Sequence, residues 1–225
     1  MKRYEKNIGT LSLDEFLSLR RSKVCVVGCG GLGGYVIELL ARLGVGYLTV
    51  VDKDVFEESN LNRQILCELN SLGKSKALVA KERLKNINPE VEVQAMVTEI
   101  NLKNGKEILR GHDLVIDALD NAEGKKFLEE LAEALEIPLV HGAVAGWFGQ
   151  VACIFPGDRL LKTLYLSKTF GIEKEIGVPS FTPALIASFQ VSEAIKILIK
   201  RGEVLRKKVL LVNLLKNEIE VIEFN

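Results

Sequence analysis

Apolar and polar positions along this chain fall into two alternating rhythms. Short apolar runs at KVCVVG (23–28), YLTVVD (47–52), DLVIDAL (113–119) and PLVHGAV (138–144) read as buried strands. VEVQAMV (91–97) reads as a strand with partial alternation, and FGQVACIF (148–155) as a further strand. Between them lie longer stretches with helical spacing. LGGYVIELLARLG (32–44) sets Ile37, Leu40 and Leu43 on one side and stops at Gly44. Residues 73–89 read as a helix closed by Pro89, 104–111 as a short helix, 121–135 as a helix despite Gly124, and 183–200 as a long helix. Strands alternating with helices predict an α/β fold, a Rossmann-like doubly wound sheet that is mostly parallel. Residues 208–224 read as a hairpin or a pair of edge strands, so antiparallel strands are expected toward the C-terminus. Residues 157–180 show no clear element. We read 157–178 as a crossover segment and 1–22 as an N-terminal arm.

Composition bounds the reading without changing it. At 225 residues with 48% hydrophobic content, the chain is expected to form one domain over 1–225 with a substantial core. Thirty basic residues balance thirty acidic ones, so neither nucleic acid nor an anionic membrane is expected as a partner. The first residues contain no apolar core of signal-peptide length, and no apolar run is read as long enough to span a bilayer. A cytoplasmic protein is expected. The four cysteines, Cys25, Cys29, Cys67 and Cys153, form no C-x-x-C pair, so no zinc is expected. Cys25 and Cys153 sit in apolar runs as small buried hydrophobes. Cys29 lies in a glycine loop and Cys67 follows a polar cluster, where either could be reactive.

The chemistry begins at GCGGLG. Gly28, Gly30 and Gly33 match G-x-G-x-x-G between an expected strand and an expected helix. Such a loop lets phosphates approach the backbone, and the helix N-terminus offers free N–H groups. Asp52, 19 residues after Gly33 at the end of the next strand, is placed to accept hydrogen bonds from ribose hydroxyls. The loop alone does not distinguish a dinucleotide from ATP. The following stretch, DKDVFEESNLNRQ, makes that distinction. It gathers Asp54, Asn60, Asn62, Arg63 and Gln64, and Lys76 adds a second cation. Two cations plus amides suit a triphosphate better than a dinucleotide bridge. In DLVIDALDN, Asp117 reads as structural. Asp120 reads as a helix N-cap and as a carboxylate beside phosphates that holds Mg²⁺, two readings that do not exclude each other. His141 reads as a structural polar contact, and Trp147 and Phe148 as partner groove or core.

In this order, the glycine loop, SNLNRQ, GKSK, DALDN and HGAVAGWFGQV resemble the ThiF/MoeB/HesA group, bacterial relatives of the ubiquitin-activating enzymes. The resemblance runs from about Arg3 to about Leu198. It implies an ATP-dependent adenylyltransferase, which activates the C-terminal glycine of a small ubiquitin-like carrier protein ending in Gly-Gly. On that resemblance Gly28, Gly30 and Gly31 line the nucleotide, and Asp52 holds the ribose. Asn60, Arg63 and Lys76 orient the phosphates, and Asp120 binds Mg²⁺ near the α-phosphate. The family is usually homodimeric, with the N-terminal segment reaching the partner's nucleotide. Three departures stand out. Lys6 replaces the second arginine of an R-Y-x-R motif, leaving Arg3 as the other available cation. The family's two zinc-binding C-x-x-C pairs are absent. No cysteine occurs from 157 to 178, so sulfur would come from a separate donor protein, or through Cys67 or Cys29. Thiamine and molybdopterin pathways both use such carriers. The competing readings are a nucleotide-binding scaffold that has lost catalysis, and an NAD-dependent oxidoreductase resting on the glycine fingerprint alone.

Overall fold

The computed structural model describes residues 2–165 and 176–224. Five strands run parallel: β1 (Lys23–Val27), β2 (Tyr47–Val51), β3 (Glu92–Met96), β4 (Leu114–Asp117) and β5 (Leu139–Ala145). Three more continue the sheet antiparallel: β6 (Phe148–Ile154), β7 (Lys208–Asn213) and β8 (Glu218–Glu223). The order across the sheet is β3-β2-β1-β4-β5-β6-β7-β8. The helices are α1 (Leu13–Arg21), α2 (Gly31–Leu43), α3 (Lys76–Ile87), α4 (Gly105–Leu109), α5 (Ala122–Ala134), α6 (Leu160–Leu164) and α7 (Phe181–Ile199). One apolar cluster fills the face under α2, α3 and α7, and a second fills the face under α4, α5 and α6. This is why β1, β2 and β4 carry near-continuous apolar runs: strands covered on both faces have no solvent side. At the far edge every residue of β8 is exposed. There Glu218, Glu220 and Glu223 blunt an edge that would otherwise recruit another strand.

The topology also locates a cleft. From β1 the chain moves outward through β2 and β3, then returns to place β4 on the other side of β1. Ligands in open α/β sheets bind at this reversal, beyond the carboxyl ends of the strands. Val27 and Asp117 are register partners, so the loops after β1 and β4 leave the sheet side by side.

Four sequence expectations are amended. The N-terminal 22 residues contain α1, started by a capping box between Ser12 and Glu15. The crossover contains α6. Its first residues have no cap of their own, so the Glu129 carboxylate reaches across from α5 to accept the Leu161 N–H at 2.8 Å. Residues 166–175 of the expected crossover lie outside the described residues. Third, Asn121, not Asp120, caps α5: its side chain accepts the Gly124 N–H at 2.7 Å. Fourth, α7 has 19 residues and a mean hydropathy of 1.3, enough by length and composition to cross a membrane. Its apolarity has a local cause, since Ile186, Ala187, Val191 and Ala194 are buried against the sheet and α2. Trp147 and Phe148, at 43% and 48% exposure, are not core residues.

Candidate functional site

The glycine loop is shaped by close backbone contacts. Gly28 has φ +101°, and a Cβ there would lie 2.5 Å from the Ala118 carbonyl oxygen. A Cβ on Gly33 would sit 1.8 Å from the Gly28 carbonyl oxygen. Only glycine permits the loop after β1 to lie flat against both the β4 loop and the start of α2. No side chain caps α2, so its first N–H groups are left for a ligand. The loop's other wall is the polar stretch: Gln64 lies beside Gly30, and the Arg63 side chain lies beside Gly31. Gln64 is buried, yet its Oε1 atom has no hydrogen-bond partner among the described residues. A buried unpaired carbonyl costs about 1–3 kcal/mol, which a donor from a bound nucleotide would offset.

Asp52 ties the loop to β2. Its Oδ2 accepts the Cys29 N–H at 2.7 Å and its Oδ1 the Asp54 N–H at 2.8 Å. Lys76, buried at the start of α3, directs Nζ to Asp54 Oδ2 at 3.5 Å, while its N–H donates to the Asp54 carbonyl. Arg63 stands at the rim, donating to the Ser59 carbonyl at 3.1 Å and to Asn62 Oδ1 at 2.9 Å. Asn60 is buried, and its Oδ1 accepts the Glu57 N–H at 3.1 Å, so its carbonyl closes the polar loop on itself. Asp120 is exposed beyond β4, and its Oδ1 accepts from Asn121 Nδ2 at 3.3 Å. Gly28, Gly30, Gly31, Gly33, Asp52, Asp54, Arg63, Gln64 and Lys76 thus form one contiguous set. Asp120 reaches it through the Ala118 turn pressed on Gly28.

Lys6 and Arg3 do not join this set within one chain. Tyr4 is buried against Phe16 with ring centroids 4.7 Å apart, a burial that stabilises by about 1.5–3 kcal/mol. Its hydroxyl accepts from Asn88 Nδ2 at 2.8 Å. Arg3 is held by Asn88 and Glu90. Tyr4 also packs on Gly44, the C-terminal cap of α2. The glycine loop is at the opposite end of that 13-residue helix, about 20 Å away.

Cys29 is fully buried, and desolvation together with the Asp52 carboxylate pushes its thiol well above the ordinary range. Burial raises Cys25 to about 12. Both are therefore thiols and poor nucleophiles. Cys67 is buried with Sγ toward the Glu57 carbonyl.

Sequence reasoning passed over two cations. Lys53 sits between the two loop aspartates and pairs with Glu99 at 2.9 Å. The Glu99 carboxylate, with Asp54 and Asp120 nearby, pushes its ammonium up. Lys125 is buried in α5 and donates to both Asp117 oxygens, at 3.3 and 3.1 Å, and to the Gly142 carbonyl at 2.8 Å. Its signal was its place on the buried stripe with Leu128 and Ala132, where a lysine needs a partner. Asp117 also accepts from His141 Nδ1 at 2.7 Å. Burial alone would raise the Asp117 carboxyl, but the Lys125 ammonium, His141 and the Leu119 N–H hold it below its ordinary value.

These residues fit a nucleoside triphosphate. There is an uncapped helix start for phosphate, a Gln64 oxygen without a partner among the described residues, the Asp52 carboxylate just past β2 and two cations. Among the described residues no three His, Cys, Asp or Glu side chains converge on one point. A magnesium ion at Asp120 would therefore take its other ligands from phosphate oxygens and water, as that ion commonly does.

A model of the ThiF family matches residues 4–225. A sulfur carrier protein adenylyltransferase from Thermus thermophilus is 37% identical over 214 residues, covering 88% of this chain and 77% of the relative. The SAMP-activating enzyme E1 of Haloferax volcanii is 34% identical over 210 residues, covering 92% and 78%. The solved structure of PaaA aligns over 100% of this chain and 82% of its own, with a TM-score of 0.85 at 20% identity. At that identity the likeness is one of fold.

Proposed function

The chain belongs to the ThiF family, and from that premise we propose that it adenylates the C-terminal glycine carboxylate of a small ubiquitin-like sulfur-carrier protein. Relatives named as adenylyltransferases support this reading. The single observation that carries it is the contiguous set around the uncapped start of α2, where Arg63 lies beside Gly31 and Lys76 pairs with Asp54 next to Asp52. In the reaction a carrier carboxylate oxygen bonds to the α-phosphorus of ATP. The bond from that phosphorus to the bridging oxygen breaks, and its electron pair leaves with pyrophosphate. No proton need be removed from the nucleophile, so this chain's task is placement and charge neutralisation. The α2 N–H groups and Gln64 bind, Asp52 orients the ribose, and Arg63 and Lys76 neutralise the phosphates. Asp120 would hold Mg²⁺, which when bound neutralises charge on the departing pyrophosphate.

We further infer a homodimer. The arm is anchored at the end of α2 remote from its own glycine loop. Exposed Lys6 is two residues past Tyr4, at most about 7 Å of backbone to which its side chain adds about 6 Å; this falls short of the roughly 20 Å length of α2, so we assign its cation to another copy's nucleotide. Sulfur is then supplied by a separate donor. ATP–pyrophosphate exchange, with and without ThiS-like and MoaD-like carriers ending in Gly-Gly, tests the function. Exchange that requires one of the carriers is expected. Tight NAD⁺ binding with no ATP binding by calorimetry would overturn it.

A further inference from the structure

Behind the Asp120 loop lies a buried polar chain that the proposed reaction does not directly use. Asp117, Lys125 and His141 are at most 4% exposed. Asp117 Oδ2 accepts from His141 Nδ1 at 2.7 Å, and its Oδ1 accepts the Leu119 N–H at 3.0 Å. A carboxylate only accepts, so His141 carries its proton on Nδ1. Its Nε2 is then an acceptor, met by Gln150 Nε2 at 3.0 Å, with the Tyr165 hydroxyl at 3.4 Å. Lys125 balances the Asp117 charge, so His141 is accommodated as a neutral ring. Burial depresses its basicity, an effect that outweighs its hydrogen bond to Asp117. On the far side of the sheet, Gln190 Nε2 holds the Asp117 carbonyl at 2.9 Å.

Replacing a buried ionic group by apolar residues of like volume is often neutral for stability. The polar chain therefore calls for a reason other than holding the sheet together. It has one in the turn that follows. Asp117 spends one oxygen on Leu119 N–H, and that bond sets the backbone between Ala118, whose carbonyl packs on Gly28, and Asp120. Lys125 donates to both carboxylate oxygens, whereas His141 holds Oδ2 alone at 2.7 Å, so it is the contact that distinguishes the two oxygens and leaves Oδ1 toward the turn.

We propose that His141 is a positioning residue for adenylyl transfer: through Asp117 it fixes the Ala118–Asp120 turn against the glycine loop. The inference rests on the adenylation reading above. His141 is fully buried and never touches substrate. Its effect appears in the step at the phosphorus rather than in ATP affinity, because Asp52, Arg63, Gln64 and Lys76 are untouched by it.

Two polar substitutions separate positioning from packing. His141→Asn puts an amide N–H near the place of Nδ1 and preserves the bond to Asp117. His141→Gln carries its amide farther, toward the place of Nε2, and abandons it. We expect kcat for ATP–pyrophosphate exchange within about threefold of wild type in His141→Asn, and lower by about tenfold or more in His141→Gln, with KM for ATP moved less than about threefold in both. Backbone hydrogen exchange reads the turn without any turnover: the Leu119 amide should exchange at the wild-type rate in His141→Asn and about tenfold faster in His141→Gln. A wild-type protein inactive with every carrier would defeat the function but leave this amide test standing. Equal kcat and equal Leu119 protection in the two variants would defeat the positioning role, as would a His141→Asn variant no better than His141→Gln.

Discussion

Two aspartates three residues apart live in opposite worlds. Asp117 is fully buried and meets Lys125, His141 and a backbone N–H. Asp120 is exposed, accepts a long hydrogen bond from its neighbour Asn121 and lies near the Lys53 ammonium. Asp117 ends β4, and Asp120 follows it in the loop that leaves the strand beside the glycine loop. The difference shows how the site is divided. The floor is made of charges whose partners are already present, so its free energy is committed to one geometry. The rim holds groups such as Asp120 and Arg63, whose contacts lie mainly within their own loops, so they can still engage a ligand.

The sharpest way to break this comparison is to remove the buried member. Asp117→Ala leaves the Lys125 ammonium buried without its counter-ion, and we expect a loss of about 3–5 kcal/mol in unfolding free energy by denaturant titration. A loss below about 1 kcal/mol would show that the floor is not committed in this way.

The next effect is similar in size but falls on rate rather than stability. Asp120→Asn keeps the shape and removes the charge, so adenylation should slow by about a hundredfold, or about 3 kcal/mol of barrier. Because Asn121 already caps α5, stability should stay within about 0.5 kcal/mol. Exchange within about twofold of wild type at saturating Mg²⁺ would remove Asp120 from the chemistry.

The smallest expected effect sharpens that assignment. Asn121→Ala removes the side chain that takes the Gly124 N–H, which should cost about 1 kcal/mol of stability. If Asp120→Asn produced the larger loss in unfolding midpoint instead, Asp120 rather than Asn121 would be starting the helix.

The alternation of apolar runs with helical stretches was enough, without coordinates, to place β1 to β5 and α2, α3, α5 and α7 within a few residues. Strands buried on both faces and helices with one buried stripe leave those periodicities whatever surrounds them. The glycine loop was legible for a related reason: its backbone geometry excludes side chains at Gly28 and Gly33, so the requirement is written directly in residue type. Partnership was not legible. Asp117 and Asp120 look alike in DALDN, and only the packing of α5 and β5 against β4 makes one a buried ion and the other an exposed carboxylate. Helix α6 was missed because its N-terminus is capped by Glu129 from α5, a contact 32 residues away in the chain. Nor did RYEKNI show that Tyr4 holds the arm at the wrong end of α2 for its own nucleotide. Local periodicity and glycine stereochemistry are properties of short segments, and the sequence determined them by itself. Burial, charge pairing and reach depend on residues tens of positions apart, and only the tertiary structure decided those.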